Sequence, residues 1–364
     1  MSSWGDFHQA SGAGWNVFWR IPDPNAGGLE VWWADFMGKR VLWKGSQPFA
    51  IVPYHHPLKG NGQGIVEPPP PEFTFKDGLG PKCGGAAFRA LKHWAPNTWN
   101  DSTWWAGADL EAVKVDVEPE SSFDPASLTI AAKFQCGWYQ YVHRWELNSY
   151  GEIHADLGMG GQLHPLNPDK AHVHHMYFRI DLDIDGYASD VFEVFTHHQF
   201  DDANPPADAW TVQTNQGKHL LDPKSARKFR IRDLVSSVGG GVEPRGYEIE
   251  IPAQAGTDTH STADIWATVY RGDHVEQGET VGGTNCGDVE LDQIASGPLD
   301  TNNGSDVVAW VVVRHHHEPR FQAEERSFLP YHYEGFHITP RAFEILRPSD
   351  RQGNPERPPP DDHP

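Results

Sequence analysis

An all-β fold is what this sequence predicts. Three observations predict it: short alternating or β-branched runs recur along the chain, turn clusters separate them, and helical periodicity is scarce. The 15 Trp, 36 Gly and 30 Pro in 364 residues fit many strands joined by tight turns. The clearest strands are residues 28–33, 40–43, 127–130 and 306–313, the last reading Asp-Val-Val-Ala-Trp-Val-Val-Val. Between them, 22–28 and 302–304 are turns whose Gly and Asn supply positive φ. The best helical candidates are residues 86–94 and a short turn near Ala342. Residues 60–71, ending in four prolines, and the Pro- and Asp-rich tail 347–364 are excursions. No repeat and no shift in composition marks a boundary, so the expected organisation is one domain over 1–346 followed by the tail 347–364.

Charge and composition exclude several function classes. With 29 Lys and Arg against 50 Asp and Glu, the formal net charge is −21, which repels phosphate backbones and anionic lipid headgroups. Nucleic-acid and membrane-surface roles are therefore not expected. No apolar run approaches the length that spans a bilayer. The start, Met1 to Asp6, has neither the basic residues nor the apolar stretch of a secretory signal, so the expected location is the cytosol. Three cysteines, Cys83, Cys136 and Cys286, do not make a disulfide framework.

The 21 histidines say more by spacing than by number. Residues 171–186 alternate like a strand, which puts His172 and His174 on one face, where two imidazoles can grip one metal ion. Asp181 and Asp183 share the opposite face, where paired carboxylates suit a hard cation such as calcium. On a second strand, 311–319, His315 and His317 point one way and His316 the other. A third ligand from this strand would complete a set of three imidazoles, favouring copper, zinc or iron over magnesium. Two plainer readings stand beside these: a solvated edge for the triple His, and an exposed acidic face before the turn at Gly186 for the aspartates.

Agreement across distant segments points to a family. His172-Val173-His174 followed by residues 178–186 (Phe-Arg-Ile-Asp-Leu-Asp-Ile-Asp-Gly) resembles the copper strand of the copper- and quinone-containing amine oxidases running into their Asp-Leu-Asp-x-x-Gly stretch. Residues 306–310, with His317 seven residues after Trp310 and Pro319 two further on, are similar to the strand carrying that family's third copper ligand. Residues 14–20, 27–29, 40–43 and 51–54 follow the order in which the family enters its catalytic domain, and 136–145 resembles the segment whose tyrosine becomes topaquinone. Residues 75–80 resemble the loop bearing the catalytic aspartate, and Cys83 matches a family cysteine that normally has a disulfide partner. The resemblance covers nearly the whole chain but only the catalytic part of a usual member.

The resemblance implies a large antiparallel β-sandwich (super-sandwich) with copper on His172, His174 and His317. It implies a calcium-like second site on Asp181, Asp183 and Asp306 with the carbonyls of Leu182 and Val307. Tyr139 takes the topaquinone precursor position and Asp77 that of the base, whose burial near an apolar ring would raise its pKa toward neutrality. The implied reaction is oxidative deamination of a primary amine to an aldehyde, with dioxygen consumed and ammonia and hydrogen peroxide released. A homodimer embraced by hairpin arms is also implied, and residues 193–222 are a candidate arm.

One departure matters. The family pattern Thr-x-x-Asn-Tyr-Asp/Glu is replaced by Cys136, Trp138 and Gln140 around Tyr139. It keeps open a mononuclear copper oxidase or oxygenase with Tyr139 unmodified, or a copper-binding protein without turnover. Tyr139 also reads as an ordinary buried tyrosine and Asp77, next to Gly78, as a turn residue. Cys136, three residues before Tyr139, falls on the opposite face if both lie on one regular strand.

Overall fold

The computed structural model describes residues 6–22, 28–54, 75–79, 89–90, 113–122, 124–136, 139–161, 172–184, 186, 189–196, 209–221, 227–237, 244–252, 262–272, 288–317 and 329–341. At several strand residues, among them Asp77, Cys136, Tyr139, His172, His316 and His317, only the backbone is described. Cys83, the excursion 60–71 and the tail 347–364 lie outside these residues, as does Ala342.

The first half of the chain forms β1 (His8–Gly12), β2 (Trp15–Arg20), β3 (Glu30–Phe36), β4 (Lys39–Tyr54), β5 (Phe75–Leu79), β6 (Arg89–Ala90), β7 (Val113–Glu118), β8 (Ser127–Cys136), β9 (Tyr139–Asn148) and β10 (Ile153–Gly161). The second half forms β11 (His172–Leu182), β12 (Asp190–Thr196), β13 (Ala209–Val212), β14 (Gly217–His219), β15 (Lys228–Ser237), β16 (Pro244–Glu250) and β17 (Ile265–Val269). A short helix α1 (Asp288–Ile294), β18 (Val307–His317) and β19 (Leu329–Arg341) follow. The four runs read as strands all lie in or overlap strands. The helix expected at 86–94 is not borne out where the chain is described, because Arg89 and Ala90 pair with Gln135 and Phe134 of β8. Among the described residues the helix that forms, α1, has no counterpart among the expected elements.

Two antiparallel sheets result. One runs β1-β2-β3-β4-β11-β18-β17-β14 with β5 on β4, and the other β13-β12-β15-β16-β19-β10-β9-β8-β6 with β7 on β8. Tight connections hold their registers, as at Met37 and Gly38 between β3 and β4, both with positive φ (51° and 78°), the backbone twist favoured in two-residue hairpins. The main core lies between the sheets, where Met176, Phe178, Ile180 and Leu182 of β11 and Val307, Ala309, Val311 and Val313 of β18 meet Tyr141, Trp145, Leu157 and Phe336. A second cluster covers the other face of the same two strands: Tyr177, Val308, Trp310 and Val312 pack under Leu291 and Ile294 of α1. Burial on both faces explains why β18 reads as an unbroken apolar run rather than an alternation. Among the described residues, no helix is long and apolar enough to cross a membrane.

The segment 193–222 contributes β13 to one sheet and β14 to the other, with Glu193–Thr196 paired to Ala209–Val212. Its stretch 197–208 lies outside the described residues.

Candidate functional site

The ladder between β11 and β18 positions the candidate ligands. Its register sets His172 opposite His317, His174 opposite His315, and Asp181 opposite Val308. Even-numbered residues of β11 and odd-numbered residues of β18 fill the space between the sheets. Positions 172, 174, 315 and 317 therefore continue that inner face at one end of the ladder. β17 pairs with Val307–Val311 of β18, so the described pairing of positions 315–317 is with β11 alone.

His174 is 1% exposed. Its Nδ1 lies 3.3 Å from the hydroxyl of Tyr141, which comes from β9 of the facing sheet. The His315 ring is 6.3 Å from that of His174 and 5.8 Å from that of His332, and His315 Nδ1 is 3.3 Å from Glu334 Oε1. With Nδ1 of His174 engaged by Tyr141, Nε2 is the nitrogen left to face a metal, the tautomer fixing that second-sphere partners usually provide. A buried, phenol-supported His174 beside His315, at the ladder end that also carries positions 172 and 317, suits copper chemically.

At the other end the donors change to carboxylates. Oxygens of Asp181, Asp183 and Asp306 lie within 4.8 Å of one another. Asp181 is 0% and Asp183 5% exposed, which overturns the exposed acidic face as a reading of this segment. Arg179 donates to Asp181 at 3.0 Å. Burial raises the Asp183 pKa to about 6, opposed by the Arg40 charge. Leu182 closes β11 and Val307 opens β18, so the two proposed carbonyl donors flank the same end. Asp190, fully buried at the start of β12, exchanges two backbone hydrogen bonds with Ser305, beside Asp306. Burial first, and then Asp183, Asp233, Asp306 and Asp181, push its pKa well up. Neither oxygen of Asp190, nor Oδ1 of Asp183, has a hydrogen-bond partner among the described residues. Buried carboxylates without partners are costly, and a hard oxygen-seeking cation relieves that cost, so the donors fit calcium.

Tyr139 opens β9, two residues from Tyr141, with the parity of Tyr141, His143 and Trp145 in the interior. Its register partners are Cys136 on β8 and Gly161 on β10. This corrects the single-strand expectation for Cys136: the two residues face each other across a hairpin. Asp77 sits mid-strand in β5 opposite Val52, so it is not a turn residue. His143, fully buried, accepts a hydrogen bond from the Leu29 N–H at 3.3 Å and packs on Phe134. Desolvation pushes its pKa down to about 3.

Residues 158–352 match the family model "Copper amine oxidase, enzyme domain". The chain belongs to the copper amine oxidase family. That match contains all three candidate copper histidines and Asp181, Asp183 and Asp306, but begins after Asp77 and Tyr139. An Arabidopsis thaliana protein named amine oxidase [copper-containing] alpha 2, peroxisomal, is 23% identical over 372 residues, covering 84% of this chain and 53% of its own. The chain spans about half the length of the curated relatives it matches. Among solved structures, a copper-containing benzylamine oxidase from Hansenula polymorpha superposes with a TM-score of 0.71 at 19% identity, covering 93% of this chain and 60% of the other. A Pichia pastoris lysyl oxidase gives 0.58 at 15% identity, covering 91% and 51%. These likenesses carry the sandwich fold.

Sequence reasoning placed His315 on the face of His317 but gave it no role, and it did not single out Tyr141, His332, Glu334 or Asp190. Tyr141 had a signal, sharing the period-2 alternation of Tyr139. Asp190 had none, because only the fold brings β12 beside Asp306.

Proposed function

We propose that this chain is a copper-dependent oxidase of primary amines. Its metal would be held by His172, His174 and His317 and its quinone made from Tyr139. The observation that supports this most is a buried His174 bonded to Tyr141, two residues along β9 from Tyr139, at the ladder end where His172 opposes His317. Copper and the quinone would supply the two-electron oxidation of the amine by dioxygen, with water consumed and aldehyde, ammonia and hydrogen peroxide released. The chain's residues do the rest. Tyr141 orients the His174 ring, and the two-sheet interior excludes water. Asp77 takes the proton from the carbon beside the amine nitrogen, at an inner register position opposite the buried Val52. The negative surface draws cationic amines at long range. We read 1–346 as the catalytic unit, 347–364 as a tail, Asp181, Asp183 and Asp306 as a structural calcium site, and the assembly as a homodimer.

A second reading is a mononuclear copper oxidase that leaves Tyr139 unmodified. Cys136, the direct register partner of Tyr139, and the buried Gln140 beside it favour this reading. The experiment that separates the two is mass analysis of the Tyr139 peptide after loading with Cu(II) in air, against a metal-free anaerobic sample. A topaquinone mass with a coloured hydrazine adduct is the expected result. Unmodified Tyr139 with one copper at the interior histidines selects the second reading, and no copper there removes both.

A further inference from the structure

The outer face of the ten-stranded sheet carries a second arrangement of imidazoles, which the proposed reaction does not use. His154 on β10 is the register partner of Glu146 on β9 and of His337 on β19, and His337 is in turn the partner of Glu250 on β16. Directly opposed residues project to the same face, so Glu146, His154, His337 and Glu250 form one row across four strands. The neighbours Ile153, Ala155, Phe336 and Ile338 are buried in the core, which turns the row outward. Within it the two imidazoles approach to 4.0 Å between ring centroids, with planes at 45°. Glu152, of the same parity as His154, brings Oε2 to 3.8 Å from His154 Nε2.

We propose that His154 and His337 form a surface site for a divalent transition-metal ion, zinc or copper(II), distinct from the interior histidines. A tetrahedral ion bonded at roughly 2.0–2.1 Å holds two nitrogens about 3.3 Å apart, a spacing these rings reach by rotation about their side-chain bonds alone. Two strands of one ladder fix both backbones, so the chelate is pre-organised. Imidazole donors select transition metals over magnesium and calcium. The carboxylates of Glu146, Glu152 and Glu250 offset the ion's charge; Glu152, the nearest, and water complete its coordination. Burial and the neighbouring His337 lower the proton affinity of His154, which favours the neutral ring a metal requires.

The test is a Zn(II) titration of the whole chain against a chromophoric competitor, with His337→Ala, His154→Gln and His174→Ala compared. His337 is exposed, so its truncation leaves the core intact even if the His154 variant folds poorly. The wild-type chain is expected to bind one more zinc than His337→Ala, or to bind it at least tenfold more tightly. His174→Ala should retain that ion. Equal stoichiometry and affinity in wild type and His337→Ala overturn the site, as does loss of the same ion in His174→Ala, which would assign it to the interior.

Discussion

The two ends of the β11–β18 ladder share one backbone register and differ in the chemistry they bury. At one end, imidazole positions face the space between the sheets, with His174 against Tyr141. At the other, Asp181, Asp183 and Asp306 converge, with Asp190 buried beside them. Burial acts oppositely on the two donor types. A buried imidazole escapes the cost by staying neutral, as His143 does with its pKa pushed down to about 3. A buried carboxylate cluster keeps a deficit that Arg179 and Arg40 only partly offset. The fold should therefore tolerate an empty imidazole end and depend on a cation at the carboxylate end.

The sharpest way to break this contrast is His174→Ala. Copper bound at the interior and oxygen uptake with a primary amine should both fall by more than a hundredfold, beyond the 10–100-fold typical of losing an outer partner. The melting temperature of the metal-free protein should change far less than its copper affinity. Retention of one tightly held interior copper, measured by metal analysis after dialysis, would show that the ligands lie elsewhere.

Cation removal probes the opposite end. Calcium at a hundred times its dissociation constant should stabilise the fold by about 2.7 kcal/mol, or roughly 3–4 °C in a thermal melt of a chain this long, and a chelator should reverse it. Asp190→Asn should stabilise the metal-free protein, because it removes a buried carboxyl that must either stay charged or take up a proton, and shrink the calcium shift. An identical shift in wild type and variant would separate Asp190 from the cation site.

Acid tests the cost of keeping a buried imidazole neutral. His143 has a folded-state pKa below its unfolded one, so the unfolded chain takes up a proton first as pH falls below about 6.5. Stability contributed by keeping this ring neutral is full above that value and declines toward about pH 3, where the folded protein also protonates. The expected slope is up to about 1.4 kcal/mol per pH unit from this group. His143→Gln should flatten denaturant-derived stability against pH over that window, and an unchanged slope would mean the ring is already solvated.

What the sequence made legible follows from what strands encode. Period-2 alternation separated His172 and His174 from Asp181 and Asp183; in the ladder His174 has the parity of the inner residues of β11 and Asp181 that of the outer ones. The apolar run of β18 announced a strand but not that α1 covers its outer side, since a seven-residue helix carries too few turns for periodicity to register. Residues 136–139 were misread because a two-residue connection leaves no break in alternation. Cys136 and Tyr139 thus became register partners on two strands instead of opposite faces of one. Asp190, Glu334 and His332 were beyond reach because only the packing of the second sheet against the first brings β12 and β19 to the ladder.

The smallest effect is the most specific. Tyr141 is fully buried, and its hydroxyl is a contact from the second sheet to His174. Tyr141→Phe keeps the ring and its packing, so stability should fall by only about 1 kcal/mol, the net worth of one buried hydrogen bond. Copper affinity should fall about tenfold, because the His174 ring loses the partner that fixes its tautomer. Calcium-dependent stabilisation at the far end of the ladder should not move. A variant that weakened both metals equally would mean that the ends are coupled through the strands, and that the contrast between them is one of donor type alone.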